Sequence, residues 1–284
     1  MALMLGFCVF APLSDATAKI LAVDFPVLQL VAVRFIVQAA ILIPLVTVLR
    51  RSWRMSPLGW KLTGLRTLLQ IAGIWSMTKA LTFLPLADAI AIAFVMPFIL
   101  LLMGHFILGE MVGTRRLVAC GVGFLGTLMV MQPSFAAAGW AVLYPLAVAF
   151  IFAAFMLVTR RIAAEADPIA MQAASGAMAV VGLGAVYVLL PNIGGMAVVA
   201  PTFDTLPLLL AMGLLGTFGH LLMTWSLRHA PAATLAPMQY LEIPVAAVIG
   251  LMLFGDLPNA LAMGGIAVTI ATGLYILWRE RIST

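Results

Sequence analysis

The sequence predicts an all-α polytopic membrane protein of ten transmembrane helices arranged as two inverted five-helix repeats. Three observations predict it. First, 64% of the 284 residues are hydrophobic and only 9% are charged, with a mean hydropathy of +1.18. A water-soluble domain carries roughly 25% charged residues, and surface-to-volume scaling leaves a chain of this length no way to hide so much apolar material. Second, Lys and Arg fall in small groups between long apolar runs and return on every other connection. Third, the stretch 81–110 recurs at 227–256.

The spans follow in order, bounded by charges, Pro or Gly. The first, 2–21, resembles a secretory signal, and Ala16, Thr17 and Ala18 mimic its cleavage site, but no basic segment precedes the run and Asp15 interrupts it. It is a first transmembrane helix. The second (26–49) ends at Arg50 and Arg51, and the third (60–81) follows Trp53, Arg54 and Trp60. The fourth (86–108) starts beyond Pro85, the fifth (114–132) opens with Arg115 and Arg116, and the sixth (139–160) closes on Arg160 and Arg161. The seventh (168–190), eighth (204–227), ninth (231–254) and tenth (258–279) complete the chain. At about 20 apolar residues per span, no separate soluble domain is left. Numbered alternately, the connections place Arg50, Arg51, Arg54, Lys61, Arg115, Arg116, Arg160, Arg161, Arg228, Arg279 and Arg281 on one side and little beyond Lys19 on the other. Basic residues mark the cytoplasmic side, so both termini are cytoplasmic and the span count is even. Trp53, Trp60, Trp140 and Trp278 lie near span ends, where amphipathic rings favour the headgroup layer. Cys8 and Cys120 lie inside apolar runs without ligand or disulfide spacing and read as packing residues.

The duplication sets the repeat. Leu81 pairs with Leu227, Pro85 with Pro231, Ala87 with Ala233, Gly109 with Gly255 and Glu110 with Asp256, each 146 apart (256 − 110 = 146). Pro97 and Pro244 correspond at 147. The two copies end on opposite sides, so five spans repeat with inverted orientation, giving units 1–133 and 134–284. Many secondary transporters share this plan, with a site near the midplane between the halves. Pro97, Pro237 and Pro244 interrupt the fourth and ninth spans at matching places, and interrupted segments in corresponding positions point to the translocation path.

Ionisable residues inside spans cost about 2.5–3.5 kcal/mol on insertion scales and so face a cavity or a partner. Lys79 follows Trp75 by one turn, so an ammonium and a large ring share a face able to hold a carboxylate and a planar side chain; the bland alternatives are snorkelling or a pair with Asp88. Glu242, mid-way along the ninth span, and Gln239 one turn earlier are placed to meet a substrate amine or carry a coupled proton. Asp15 and Arg34 lie at similar depth and read as a structural ion pair, with Asp15 to Lys19 as the alternative and proton coupling as the functional reading. His220 is a possible proton carrier, while Phe94 and Tyr240 beside the breaks offer an aromatic wall. No metal site is expected, because no two His or carboxylates share ligand spacing on one helix. Gly121, Gly123 and Gly126 spell a dinucleotide signature, but no strand precedes them, so close helix packing explains them. No nucleotide-binding loop is present, hence no self-supplied fuel; no cofactor, nucleic acid or obligatory protein partner is expected, only a small-molecule substrate and the bilayer.

The segments PVLQLVAVRF at 26–35, WSMTKAL and WSLRHAP, LGE at 108–110 with FGD at 254–256, and the glycine-rich fifth and tenth spans resemble the EamA group of the drug/metabolite transporter superfamily. That resemblance covers essentially the whole chain. It implies a ten-helix, basket-like exporter of small metabolites in a bacterial-type inner membrane, its cavity lined mainly by helices three, four, eight and nine. Within the group the chain is most similar to amino-acid exporters, those of aromatic amino acids among them. Alternating access by uniport or proton-coupled antiport is then expected, with Lys79 on the substrate carboxylate, Trp75, Phe94 and Tyr240 on its side chain, and Glu242 with Gln239 on its amine. Nucleosides, riboflavin-like compounds and cationic toxins are the alternative substrates. Two other classes compete: an intramembrane serine protease using Ser175 and His220, and an accessory or lipid-scrambling membrane protein. The expected chain is not an enzyme.

Overall fold

The computed structural model describes residues 2–108, 113–189, 197–231, 235–256 and 259–283. Among these residues α-helices follow one another in the order α1 (Ala2–Leu21), α2 (Val27–Val48), α3 (Pro57–Leu81), α4 (Leu86–Ala93), α5 (Met96–Leu108), α6 (Thr114–Ala138), α7 (Leu143–Ala163), α8 (Pro168–Leu189), α9 (Thr205–His229), α10 (Glu242–Phe254) and α11 (Ala260–Ser283). Two 3₁₀ segments, Gly139–Val142 and Ala236–Leu241, precede α7 and α10, and the described residues contain no strand. Among the described residues the predicted spans fall mainly on helix. The fourth is α4 followed by α5, and the ninth is the second 3₁₀ segment followed by α10. Among the described residues six spans are long and apolar enough to cross a membrane by length and composition, and three shorter apolar helices accompany them. The remaining helix, α3, is 25 residues long and interrupts its apolar run with Lys61, Arg66 and Lys79.

The prolines explain the two broken spans. Pro97 has no N–H to give the carbonyl of Ala93, four residues earlier, and α4 ends at that residue. The chain turns at Phe94 and Val95 and α5 restarts at Met96, with Pro97 in the first turn, where a missing N–H costs nothing. Pro244 likewise lies in the first turn of α10, behind the 3₁₀ segment that contains Pro237. The side chains of Pro97 and Pro237, the Cys120 side chain, and Gly109 and Glu110 at the end of the first sequence copy lie outside the described residues.

Helix packing respects an exchange of spans five places apart. α1 packs on α9 and α3 on α7, partners that this exchange interconverts, while α2 packs on α8, α4 on α10 and α6 on α11 as self-equivalent pairs. Close approach of α6 and α11 depends on glycine: a Cβ on Gly126 would lie 2.8 Å from the Gly265 carbonyl oxygen. Gly126→Val therefore has to push two backbones apart, and a loss of about 1–3 kcal/mol is expected as a lowered Tm of the detergent-solubilised protein.

Polar ties hold the helix ends. Lys19 pairs with Asp256 at 3.0 Å and lies 4.5 Å from the Phe254 ring centroid, linking α1 to the end of α10. The expected alternative, Lys19 with Asp15, is thus replaced by a partner from the other half. Arg51 meets Asp167 at 3.6 Å, and the Ser56 hydroxyl donates to Glu165 at 2.9 Å. Ser56 also caps α3 by accepting from the Gly59 N–H, with Pro57 following at the first helical position.

Candidate functional site

The broken ends of the fourth and ninth spans meet. Phe94 sits at the first break and Tyr240 at the second, 146 residues apart (240 − 94 = 146), and their ring centroids are 5.7 Å apart. Equivalent residues that touch one another must lie close to the axis relating the halves. Both are buried.

A cavity of about 80 Å³ opens beside this contact. Helices from both halves wall it: α1 gives Phe7 and Asp15, α2 Arg34, α3 Gln70 and Gly73, α4 Ala93, α7 Phe152, α9 His220 and α10 Glu242, with Phe94 at the break. The wall is aromatic on one side. The His220 ring stands edge-on to Phe7, Phe152 and Phe155, with centroids 5.9, 6.0 and 5.6 Å away, and its Nδ1 is buried without a hydrogen-bond partner. Charges of both signs line the same cavity. Arg34 approaches Asp15 at 4.0 Å, which places the predicted ion pair inside the cavity wall. Glu242, the first residue of α10, is 9% exposed and enters no ion pair among the described residues.

The structure brings five of the singled-out residues together: Asp15, Arg34, Phe94, His220 and Glu242. Gln239 and Tyr240 are buried behind the lining, Gln239 donating to the Met156 sulfur at 3.4 Å. Lys79 and Trp75 belong to a different group. Trp75 is 37% exposed and edge-on to Tyr144, which stacks on Phe83, and the Lys79 ammonium lies 5.2 Å from the Phe83 ring centroid. None of these four lines the cavity.

Sequence reasoning passed over Arg66, whose side chain is fully buried. Its Nη1 donates to the Ser175 hydroxyl at 2.6 Å and to Gln70 Oε1 at 3.5 Å, its Nε donates to Thr159 at 3.0 Å, and its Nη2 donates to Gln172 Oε1. The signal was present: Thr63, Arg66, Thr67 and Gln70 recur at helical spacing and make one polar stripe inside an apolar run. Ser175 is thereby bound to a guanidinium, and no hydrogen bond joins it to His220 among the described residues. The protease dyad is not assembled.

The model of the EamA-like transporter family matches residues 1–132 and again 139–278. This chain belongs to that family. Among similar proteins, a riboflavin transporter of Rhizobium johnstonii is 29% identical, over 76% of this chain and 69% of that protein. An S-adenosylmethionine uptake transporter of Rickettsia prowazekii is 26% identical over 77% and 72%, and a riboflavin transporter of Vibrio cholerae is 23% identical over 95% and 90%. A crystal structure of a protein covering 99% of this chain at 17% identity superposes with a TM-score of 0.72, a likeness of fold. The EamA membership expected from the motifs holds, and the chain is a multi-pass membrane protein of a transporter family. These relatives are named for riboflavin and S-adenosylmethionine rather than amino acids, and the Rickettsia protein is named for uptake rather than export.

Proposed function

We propose that this protein moves a small metabolite bearing a flat ring and polar groups across a bacterial inner membrane, by alternating access between two inverted repeats, 1–133 and 134–284, with both termini cytoplasmic. The observation that carries the proposal is the cavity itself. Aromatic faces from Phe7, Phe94 and Phe152 lie beside His220, Asp15, Arg34 and Glu242 in a space walled by both halves. Rings stack on such walls and buried charges orient polar groups. Relatives named for riboflavin and S-adenosylmethionine, both ring compounds, support that class over a purely aliphatic one. Amino acids, aromatic ones first, form the second reading, favoured by charges of both signs facing one cavity, as a zwitterion requires. No nucleotide-binding loop powers the cycle, so the substrate gradient or a proton antiported through Glu242, Asp15 or His220 drives it.

Lys79 and Trp75, with Tyr144 and Phe83, then form a platform on the outer approach. Gln239 and Tyr240 support the central wall from behind. Counterflow into proteoliposomes preloaded with riboflavin, S-adenosylmethionine, phenylalanine, a nucleoside or a lipophilic cation tests the reading. Saturable exchange of a ring-bearing metabolite is expected, with Lys79→Ala reducing it less than Glu242→Gln. Exchange of the cation alone would move the substrate class, and phospholipid movement without any metabolite exchange would point to a scramblase.

A further inference from the structure

The Arg66 cluster has a hydrogen-bond inventory that does not balance. Arginine offers five N–H donors and no acceptor. Four of those donors reach Thr159, Ser175, Gln70 and Gln172, every one through a neutral oxygen. No carboxylate forms an ion pair with Arg66 among the described residues. The two glutamine amides that accept from it turn their own NH₂ groups, Gln70 Nε2 and Gln172 Nε2, into buried positions with no partner. The result is a fully buried positive charge surrounded by surplus donors. Burying a charge without a counter-charge is expensive, and every surplus here could be met by an added acceptor that is negatively charged.

Two further observations connect this cluster to the cavity. Gln70 is the one Arg66 partner that lines the cavity, and at 3.5 Å its bond is the longest that the guanidinium makes. Beneath the guanidinium lies Phe155, 4.7 Å from Cζ to the ring centroid, which stacks on the cavity residue Phe152.

We propose that Arg66, with Gln70 and Gln172, is a binding site for an anionic group of the transported metabolite, a carboxylate that reaches the guanidinium from the cavity by displacing the Gln70 amide oxygen. The Gln70 amide then rotates to donate its NH₂ to the same anion. Together with Glu242 in the cavity wall, which suits a cationic group, the site selects a metabolite that carries a carboxylate beside a positive charge. This rests on the transport reading above and narrows its substrate class.

The test uses matched pairs that differ by one carboxylate: S-adenosylmethionine against decarboxylated S-adenosylmethionine, and phenylalanine against 2-phenylethylamine. Thermal stabilisation of the full chain in detergent is measured for each. One carboxylate-bearing member is expected to act at a concentration about tenfold or more lower than its partner, as the loss of a charge-assisted bond predicts. Arg66→Gln removes that preference. Because Arg66 also ties α3 to α7 and α8, Gln70→Glu provides an independent arm: a carboxylate built in beside the guanidinium raises the Tm without ligand and abolishes the preference. Equal effects within both pairs, none included, or a preference that survives Gln70→Glu, overturns the proposal and leaves Arg66 a purely structural tie. Stabilisation by inorganic phosphate alone, without preference within the pairs, assigns the charge to a free ion and overturns it too. Counterflow with the same preparation judges transport separately: exchange without carboxylate preference removes only this site, whereas preferential binding without exchange removes only the transport reading.

Discussion

Glu242→Gln is expected to lower counterflow by about 10- to 100-fold, the effect of losing one charge-assisted contact. The reasons are positional. Glu242 starts α10 at the second helix break, lines the cavity, is nearly buried and enters no ion pair among the described residues. A carboxylate held in that way without a structural partner is there for what enters the cavity. The variant separates the two roles open to it. If Glu242 meets the substrate, exchange and accumulation fall together; if it carries the coupled proton, counterflow persists while accumulation driven by a proton gradient disappears. Wild-type exchange and wild-type gradient-driven accumulation in Glu242→Gln would remove Glu242 from the mechanism.

Arg34→Leu is expected to be the most destabilising single change, with a loss of about 3–5 kcal/mol, typical of leaving one member of a buried pair behind. Arg34 is 5% exposed, and Gly216 of α9 is seated against its guanidinium so closely that a Cβ there would overlap it. Removing Arg34 leaves Asp15 in the cavity wall without its cation and opens a gap against α9. Asp15→Leu combined with Arg34→Leu recovers much of the loss, because no unpaired charge remains. Chemical or thermal unfolding in detergent measures both. A double variant no more stable than Arg34→Leu alone would show that packing on Gly216, rather than the pair, dominates.

Much of the fold was legible because lipid restricts what a backbone can do. An α-helix satisfies its own backbone in lipid, so the apolar runs located the helical segments of the described residues, and matching prolines located the breaks at Phe94–Val95 and before Glu242. The site was legible in part. Phe94, Glu242, Asp15, Arg34 and His220 were found because a charge or ring beside a break stands out in an apolar run. Lys79 stood out for the same reason, yet it lies at the end of α3, within reach of Phe83 rather than the cavity. Depth along a span can be counted from sequence, but rotation about the helix axis relative to its neighbours cannot. Arg66 was missed for the opposite reason: it follows Arg54 and Lys61 closely enough to pass for the edge of a basic cluster, whereas nine residues into α3, roughly 14 Å along the axis, it is near the middle of the span. Its partners Thr159, Gln172 and Ser175 lie over 90 residues away in sequence, so only the folded packing of α3 on α7 and α8 assembles them.

The central claim is that the cavity between the halves is the transport path. Ala93 lines it beside the Phe94 break, and Ala93→Cys in a background without Cys8 and Cys120 gives a thiol in its wall. Labelling that thiol with a membrane-impermeant reagent in proteoliposomes, with and without a saturating substrate that the same vesicles exchange, tests the claim most directly. The expected result is labelling that the exchanged substrate slows in proportion to its occupancy and that a non-exchanged analogue leaves unchanged. A labelling rate indifferent to every substrate that the vesicles exchange would contradict it.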